Sequence, residues 1–102
     1  MKFSERVYKI TKTIPEGKVS TYKAVAEALG SKAYRAVGNA LNRNQHAPVV
    51  PCHRVINNNG SLGGFKSGIK NKTKLLKKEK IQIENNKIDL NKYLFKIKKE
   101  RA

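Results

Sequence analysis

The apolar residues of the first thirty positions recur at helical intervals. Phe3, Val7, Ile10 and Ile14 follow one another at three- and four-residue steps, with Ser4 available as an N-cap and Glu5 in the first turn. This predicts a first helix that ends in the turn Pro15-Glu16-Gly17. Val19 fits a short extended piece. Ser20 or Thr21 can cap a second helix with the stripe Tyr22, Val25, Ala26 and Leu29, and Gly30 supplies its stop. A third helix is predicted over SKAYRAVGNALNRN, capped by Ser31. Its faces differ. Ala33, Ala36, Val37, Ala40 and Leu41 share one arc, and Lys32, Arg35, Asn39, Asn42 and Arg43 share the other.

Two short helices joined by a glycine-containing turn form a helix-turn-helix. Asn57-Asn58-Asn59-Gly60 is a turn signal between Val55-Ile56 and Ser61-Leu62, which predicts two short strands forming a wing. Gly63-Gly64 marks flexible or closely approached backbone. Ser67 can cap a fourth helix from Gly68 to Glu79 carrying Ile69, Leu75 and Leu76. Beyond it, Leu90, Tyr93, Leu94 and Ile97 keep helical spacing in a Lys- and Asn-rich stretch, so a last amphipathic helix is expected, packed on the body or forming a basic arm. The fold class is mainly α: a winged helix with a helix-turn-helix, a short β wing and a helical basic C-terminal tail. Residues 1–80 read as the winged-helix domain and 81–102 as a basic extension.

Charge narrows the function. The chain of 102 residues holds 23 Lys plus Arg against 7 Asp plus Glu, a formal net charge of +16. Such an excess opposes compaction and calls for a polyanion, nucleic acid before an anionic membrane surface. The outward arc of the third helix offers only Lys, Arg and Asn, which donate to phosphates and base edges. An ordinary solvated helix face gives the same pattern, and lysine richness also follows from compositional bias. No apolar run reaches a membrane-spanning length, and the first residues do not read as a signal peptide.

The single cysteine excludes an internal disulfide and suits a reducing, cytoplasmic setting. Cys52 lies in VVPCHRVI, directly before His53 and Arg54. A thiolate is the reactive form, and a nearby base or cation favours it. Neighbours in extended backbone point to opposite faces, so adjacency alone does not establish contact. A small buried core cysteine beside a surface histidine fits the same residues. Cys52 with His46 and His53 matches no zinc spacing, and no cofactor is called for.

Val50-Pro51-Cys52-His53-Arg54-Val55-Ile56 resembles the active-site motif of the O6-alkylguanine-DNA alkyltransferases, also called methylated-DNA–protein-cysteine methyltransferases. The resemblance extends through Ile14-Pro15-x-Gly17-x-Val19-x-Thr21-Tyr22, Arg35-Ala36-Val37-Gly38, Asn44, Gly63-Gly64-Phe65, Gly68-Ile69, Lys72, Leu75-Leu76 and Glu79, covering about residues 3–80. It implies single-turnover transfer of an alkyl group from O6-alkylguanine in double-stranded DNA, by a monomer, to Cys52. His53 would take the thiol proton through a water. Tyr22 would donate to the flipped base, and Asn44 would brace the active-site loop. Arg35 would fill the space left by the extruded guanine. Lys32, Asn39, Asn42 and Arg43 would contact DNA, and Val55, Gly63, Gly64 and Phe65 would line the alkyl pocket. The chemistry is coherent in itself. An alkyl carbon on oxygen is open to in-line thiolate attack, the leaving oxygen needs a donor, and the stacked target must flip out. Tyr22 also fits as a core aromatic, Arg35 as one more phosphate contact, and Asn44 as a helix end.

Three departures from the family pattern stand out. Thr73, rather than a glutamate, follows Lys72. The acid of a Cys–His–acid relay is therefore expected to be missing or replaced, with Glu84 a candidate and Glu79 on another helix face from position 73. The N-terminal domain of many members, with the zinc ligands some carry there, has no counterpart in this sequence. Phe65 and Lys66 stand where a hydroxyl-bearing aromatic and a small polar residue are common. The rival functions are an alkyltransferase-like protein that recognises damage without transfer, a plain winged-helix DNA-binding protein, and a membrane-surface role for the tail.

Overall fold

The computed structural model describes residues 2–44, 49–65 and 68–100. The chain runs α1 (Phe3–Thr11), β1 (Ser20–Thr21), α2 (Tyr22–Ala28), α3 (Tyr34–Asn42), a 3₁₀ turn (Cys52–Arg54), β2 (Val55–Ile56), α4 (Ile69–Lys78) and α5 (Leu90–Tyr93). This is a winged helix-turn-helix, mainly helical around a two-stranded sheet.

The local signals act largely as their chemistry requires. Thr21, not Ser20, caps α2, its Oγ1 accepting from the Ala24 amide at 3.0 Å. Gly30 closes α2 with φ +69°, a conformation glycine adopts without Cβ strain. Ser31 Oγ accepts from the Ala33 amide at 2.9 Å, and α3 begins later than its composition predicts, at Tyr34. The cap expected from Ser67 lies outside the described residues, and Gly68 precedes α4.

Helices α1, α2 and α3 enclose one core, in which Val7, Val25, Ala26, Val37 and Ala40 are fully buried. Alanines on α2 and α3 let these helices approach closely. A second core joins Val19, Ile56, Leu62 and Leu76 to Ile81, Ile88 and Tyr93. Residues 81–100 thus supply part of the interior.

The sheet departs from the predicted wing. Val55-Ile56 pairs in parallel with Ser20-Thr21, in the register Ser20 with Val55 and Thr21 with Ile56. The Asn57–Gly60 turn is closed by the Asn57 amide on the Ser61 carbonyl, and Ser61 bridges antiparallel to Lys87. Lys87 belongs to a tight hairpin turn with Asn85 and Asn86 at φ +52° and +58°, the left-handed pair such turns require. Gly60 lies against this hairpin. A Cβ there would stand 2.7 Å from the Ile88 carbonyl oxygen, which only glycine avoids.

The last helix is shorter than its spacing predicts. After Tyr93 the chain is extended, the Val19 amide donating to the Tyr93 carbonyl and the Phe95 amide to the Val19 carbonyl. Pairing with β-type backbone outranks the weak local helical preference of Leu94–Ile97. The strand-like segment then ties down α1 and α2. Arg6 pairs with Glu100 and donates to the Leu29 carbonyl, and the Glu100 amide donates to the Ala28 carbonyl.

Candidate active site

Cys52 opens the 3₁₀ turn between Pro51 and β2 and is nearly buried, 8% exposed. Pro51 confines Val50 to extended backbone, and the Cys52 amide folds back onto the Val50 carbonyl at 2.8 Å. The same carbonyl accepts from Asn44 Nδ2 at 2.9 Å, inside the protein. Asn44, just past α3, therefore holds the residue two before the thiol.

His53 and Arg54 converge on Glu79 because a 3₁₀ turn does not throw successive side chains to opposite faces as a strand does. His53 Nε2 lies 2.7 Å from Glu79 Oε2, and Arg54 donates to both carboxylate oxygens from Nε and to Oε2 from Nη2. The Gly17 amide donates to Oε1, and Arg54 Nη1 to the Ile14 carbonyl, so the turn entering β1 joins the network. Burial works to raise the Glu79 pKa. The hydrogen bonds from Arg54, His53 and Gly17 together outweigh it and hold the carboxyl below the usual carboxylate range. Burial pushes the His53 pKa down, against the opposing pull of Glu79. An ionised Glu79 requires the proton of neutral His53 on Nε2, which leaves Nδ1 as the basic nitrogen.

This corrects the expectation that the histidine lacks its acid. Glu79 is off the face of Thr73, but it is seven residues from Lys72, about two helical turns, and so shares the face of Lys72. Lys72, Leu75, Leu76 and Glu79 form one i, i+3, i+4, i+7 stripe. Glu84 is not the substitute. It is exposed, and its backbone pairs with Lys87 in the hairpin.

Lys72 is fully buried, an unusual place for an ammonium. Its Nζ donates to the Val55 carbonyl at 2.7 Å and, more weakly, to the Gly64 carbonyl at 3.3 Å and Tyr22 Oη at 3.4 Å. It stands 5.7 Å from the Tyr22 ring centroid and 5.8 Å from that of Phe65. Desolvation lowers its pKa to about 8, while attraction to Cys52 opposes the fall. Burial raises the Tyr22 pKa, and Cys52 raises it further. Thiol, ammonium and phenol are thus electrostatically coupled.

Tyr22, Gly38, Leu41, Asn42, Gly64 and Phe65 surround about 20 Å³ of free space at Cys52. This adjoins an open cleft of about 870 Å³ lined by Tyr22, Tyr34, Arg35, Gly38, Asn39, Asn42, Asn57, Gly64 and Phe65. Of the residues singled out from the sequence, the structure brings Tyr22, Arg35, Asn39, Asn42, Gly64 and Phe65 to one cleft beside Cys52. Gly63 stands behind Tyr22, where a Cβ would come within 3.2 Å of the ring. Val55 is buried, its carbonyl engaged by Lys72. Lys32 and Arg43 are exposed before and after α3, outside the cleft lining. His46 and Lys66 lie outside the described residues. Sequence reasoning did not place Lys72 or Glu79 in the site. The signal was their charge on the apolar stripe of α4.

Fold and site together define a winged helix-turn-helix protein whose near-buried cysteine shares a 3₁₀ turn with a histidine paired to a carboxylate, beside a cleft lined in part by α3. Residues 2–81 match the family described as 6-O-methylguanine DNA methyltransferase, DNA binding domain, and the chain belongs to that family. A bifunctional methyltransferase/endonuclease of Picrophilus torridus is 46% identical over 90 residues, 87% of this chain and 30% of that protein. A methylated-DNA–protein-cysteine methyltransferase of Methanosarcina barkeri is 48% identical over 85 residues, 82% of this chain and 51% of that protein. The chain spans about half or less of these relatives' length. Mycobacterium tuberculosis OGT in complex with DNA superposes with a TM-score of 0.76 at 44% identity, over 78% of this chain and 49% of that one. S. pombe Atl1 bound to damaged DNA containing O6-carboxymethylguanine gives 0.84 at 32% identity, over 92% and 94%.

Proposed function

We propose that the protein repairs O6-alkylguanine in double-stranded DNA by moving the alkyl group to its own Cys52, once per molecule. The observation that carries this is the His53–Glu79 pair in the turn that holds the thiol. It is backed by the buried Lys72 cation and by relatives described as cysteine methyltransferases. His53 Nδ1 takes the Cys52 proton through a water, and Glu79 steadies the resulting imidazolium. The Lys72 ammonium is attracted to the sulfur as it becomes negative. The sulfur attacks the alkyl carbon, an S–C bond forms, and the C–O bond breaks with its electron pair passing to the guanine. Tyr22 Oη donates to the base as that charge builds. Arg35 occupies the vacated stack, and Asn39 and Asn42 on α3 contact the duplex with Lys32 and Arg43. Asn44 keeps the turn in place. The space at Cys52 is sized for a small alkyl group, and it adjoins the larger cleft in which the base sits.

A free thiol acceptor needs a reducing environment, so we place the protein in the cytoplasm. Among the described residues no helix is long and apolar enough to cross a membrane. The end-to-end likeness to S. pombe Atl1 supports a second reading, damage recognition without transfer. Intact mass after mixing with a duplex bearing one O6-methylguanine separates the two. A gain of one methyl group, mapped to Cys52 and absent from Cys52→Ala, supports transfer. Selective lesion binding with no gain supports recognition alone.

A further inference from the structure

The chain's positive charge is concentrated away from the recognition helix. Of its 23 Lys and Arg, only Arg35 belongs to α3, with Lys32 and Arg43 flanking it. Helix α4, ten residues long, carries five lysines and no acid. Lys72 is consumed by the active site, while Lys70, Lys74, Lys77 and Lys78 are all exposed. At about 100° per residue these four fall within one arc of roughly 100°, opposite Lys72 and Leu76. They are spaced i, i+4, i+7 and i+8, so neighbouring ammonium groups repel one another. Lys77 and Lys78 suit the negative C-terminal end of the helix, but Lys70 sits in its first turn, against the dipole. Helix stability therefore does not account for the stripe. The nearest acid in sequence, Glu79, is engaged by His53 and Arg54.

The direction of the stripe follows from the contacts of Lys72. Its Nζ reaches Tyr22 and Gly64, which line the cleft together with Arg35, Asn39 and Asn42. The cleft is on the Lys72 side of α4, and the four exposed lysines face away from it. A group held in the cleft is therefore on the far side of α4 from them.

We propose that the lysine face of α4 is a second DNA-binding surface, which holds the phosphate backbone of a separate duplex segment while α3 engages the lesion. The inference rests on the duplex-binding reading of α3. Recognition is of phosphate charge alone, because the stripe offers point-charge donors and no planar or apolar group. A membrane surface fits less well, because Leu76 on the apolar face of α4 is buried in the core and the exposed Ile69 lies outside the lysine arc, so the stripe itself has nothing to insert.

A lesion-bearing duplex is fixed to a surface and saturated with the protein, and retention of a second, labelled, undamaged duplex is measured. The wild-type protein retains it. The quadruple variant Lys70→Gln, Lys74→Gln, Lys77→Gln, Lys78→Gln loses retention by at least about tenfold, and the matching Lys→Arg variant keeps it. Retention falls with salt by up to about 0.9 log units per log unit of salt for each lysine-bound phosphate. Circular dichroism confirms that the variants fold, and methyl transfer to Cys52 is scored on the same samples. Equal retention by the Gln variant overturns the proposal, as does failure of the wild type to retain the duplex. Loss of binding to anionic phosphatidylserine vesicles with duplex retention intact overturns it in favour of a membrane. Absence of methyl transfer alone counts against the transferase reading and leaves the retention result to decide this one.

Discussion

His53 Nε2 and Glu79 Oε2 lie 2.7 Å apart, although 26 residues separate them in the chain. The contact joins the reactive turn to the C-terminal end of α4. It sets which imidazole nitrogen carries the proton of neutral His53.

Replacing Glu79 by Gln removes the charge that fixes this tautomer and leaves Arg54 without its anion. Methyl transfer is expected to slow by about 10²-fold. Stability is expected to fall by on the order of 3 kcal/mol, as for a broken, largely buried ion pair. Thr73→Ala, at the position next to Lys72, leaves the rate unchanged. Single-turnover kinetics and urea melts of both variants check this, and a normal rate in Glu79→Gln rejects the relay.

Transfer should show a bell-shaped pH dependence. The proposed mechanism needs the base form of His53, whose pKa is lowered below 6.5, so the acid limb lies below that value. It also needs the ammonium of Lys72, which is lost near pH 8, so the rate falls above about 8. Lys72→Met abolishes the alkaline limb and slows transfer at neutral pH. Stability follows the same groups. His53 and Glu79 have depressed folded pKa values, so on acidification the unfolded chain takes up their protons first and stability falls. Lys72 is also depressed, from 10.5 to about 8, so the unfolded chain holds its proton longer as pH rises. Stability should therefore climb between pH 8 and 10, by about 2 kcal/mol. Denaturant midpoints across that range test the sign.

Asn44→Ala removes the side-chain anchor of the Val50 carbonyl. A loss of about 1–3 kcal/mol is expected from the buried bond. Transfer slows while DNA affinity is kept, because Asn44 is not on the outward face of α3. Thermal melts, duplex binding and transfer rates on one preparation separate these effects.

Lys80 follows α4 in the left-handed region at φ +66°, and the Ile81 amide closes back onto the Leu76 carbonyl. Glycine suits this position and lysine is strained there. Lys80→Gly should stabilise by about 1 kcal/mol, raising Tm by about 4–8 °C for a domain of this size. Transfer is unaffected. A lowered Tm would show that the exposed Lys80 side chain contributes a contact.

Much of this protein was legible in one dimension. Helical spacing located α1, α2, α3 and α4, because each buries one stripe on a common core and local periodicity records that. Cys52 and His53 stood out by their local chemistry, and Tyr22 and Asn44 only through the family resemblance; the structure brings Tyr22 beside Cys52 and ties Asn44 to the Val50 carbonyl. The parallel pairing of β1 with β2, the hairpin at Asn85-Asn86 and the extended run after Tyr93 were not legible. Two-residue strands carry no period, and their hydrogen bonds go to distant backbone. The composition of α4 alone shows a lysine-rich helix with a glutamate at its end. Only packing decided that Lys72 and Glu79 turn inward, to the Val55 carbonyl and to His53 and Arg54, while four other lysines turn out. A buried charge is tolerated where carbonyls, rings and counter-ions from several elements meet it, and that convergence exists only in three dimensions.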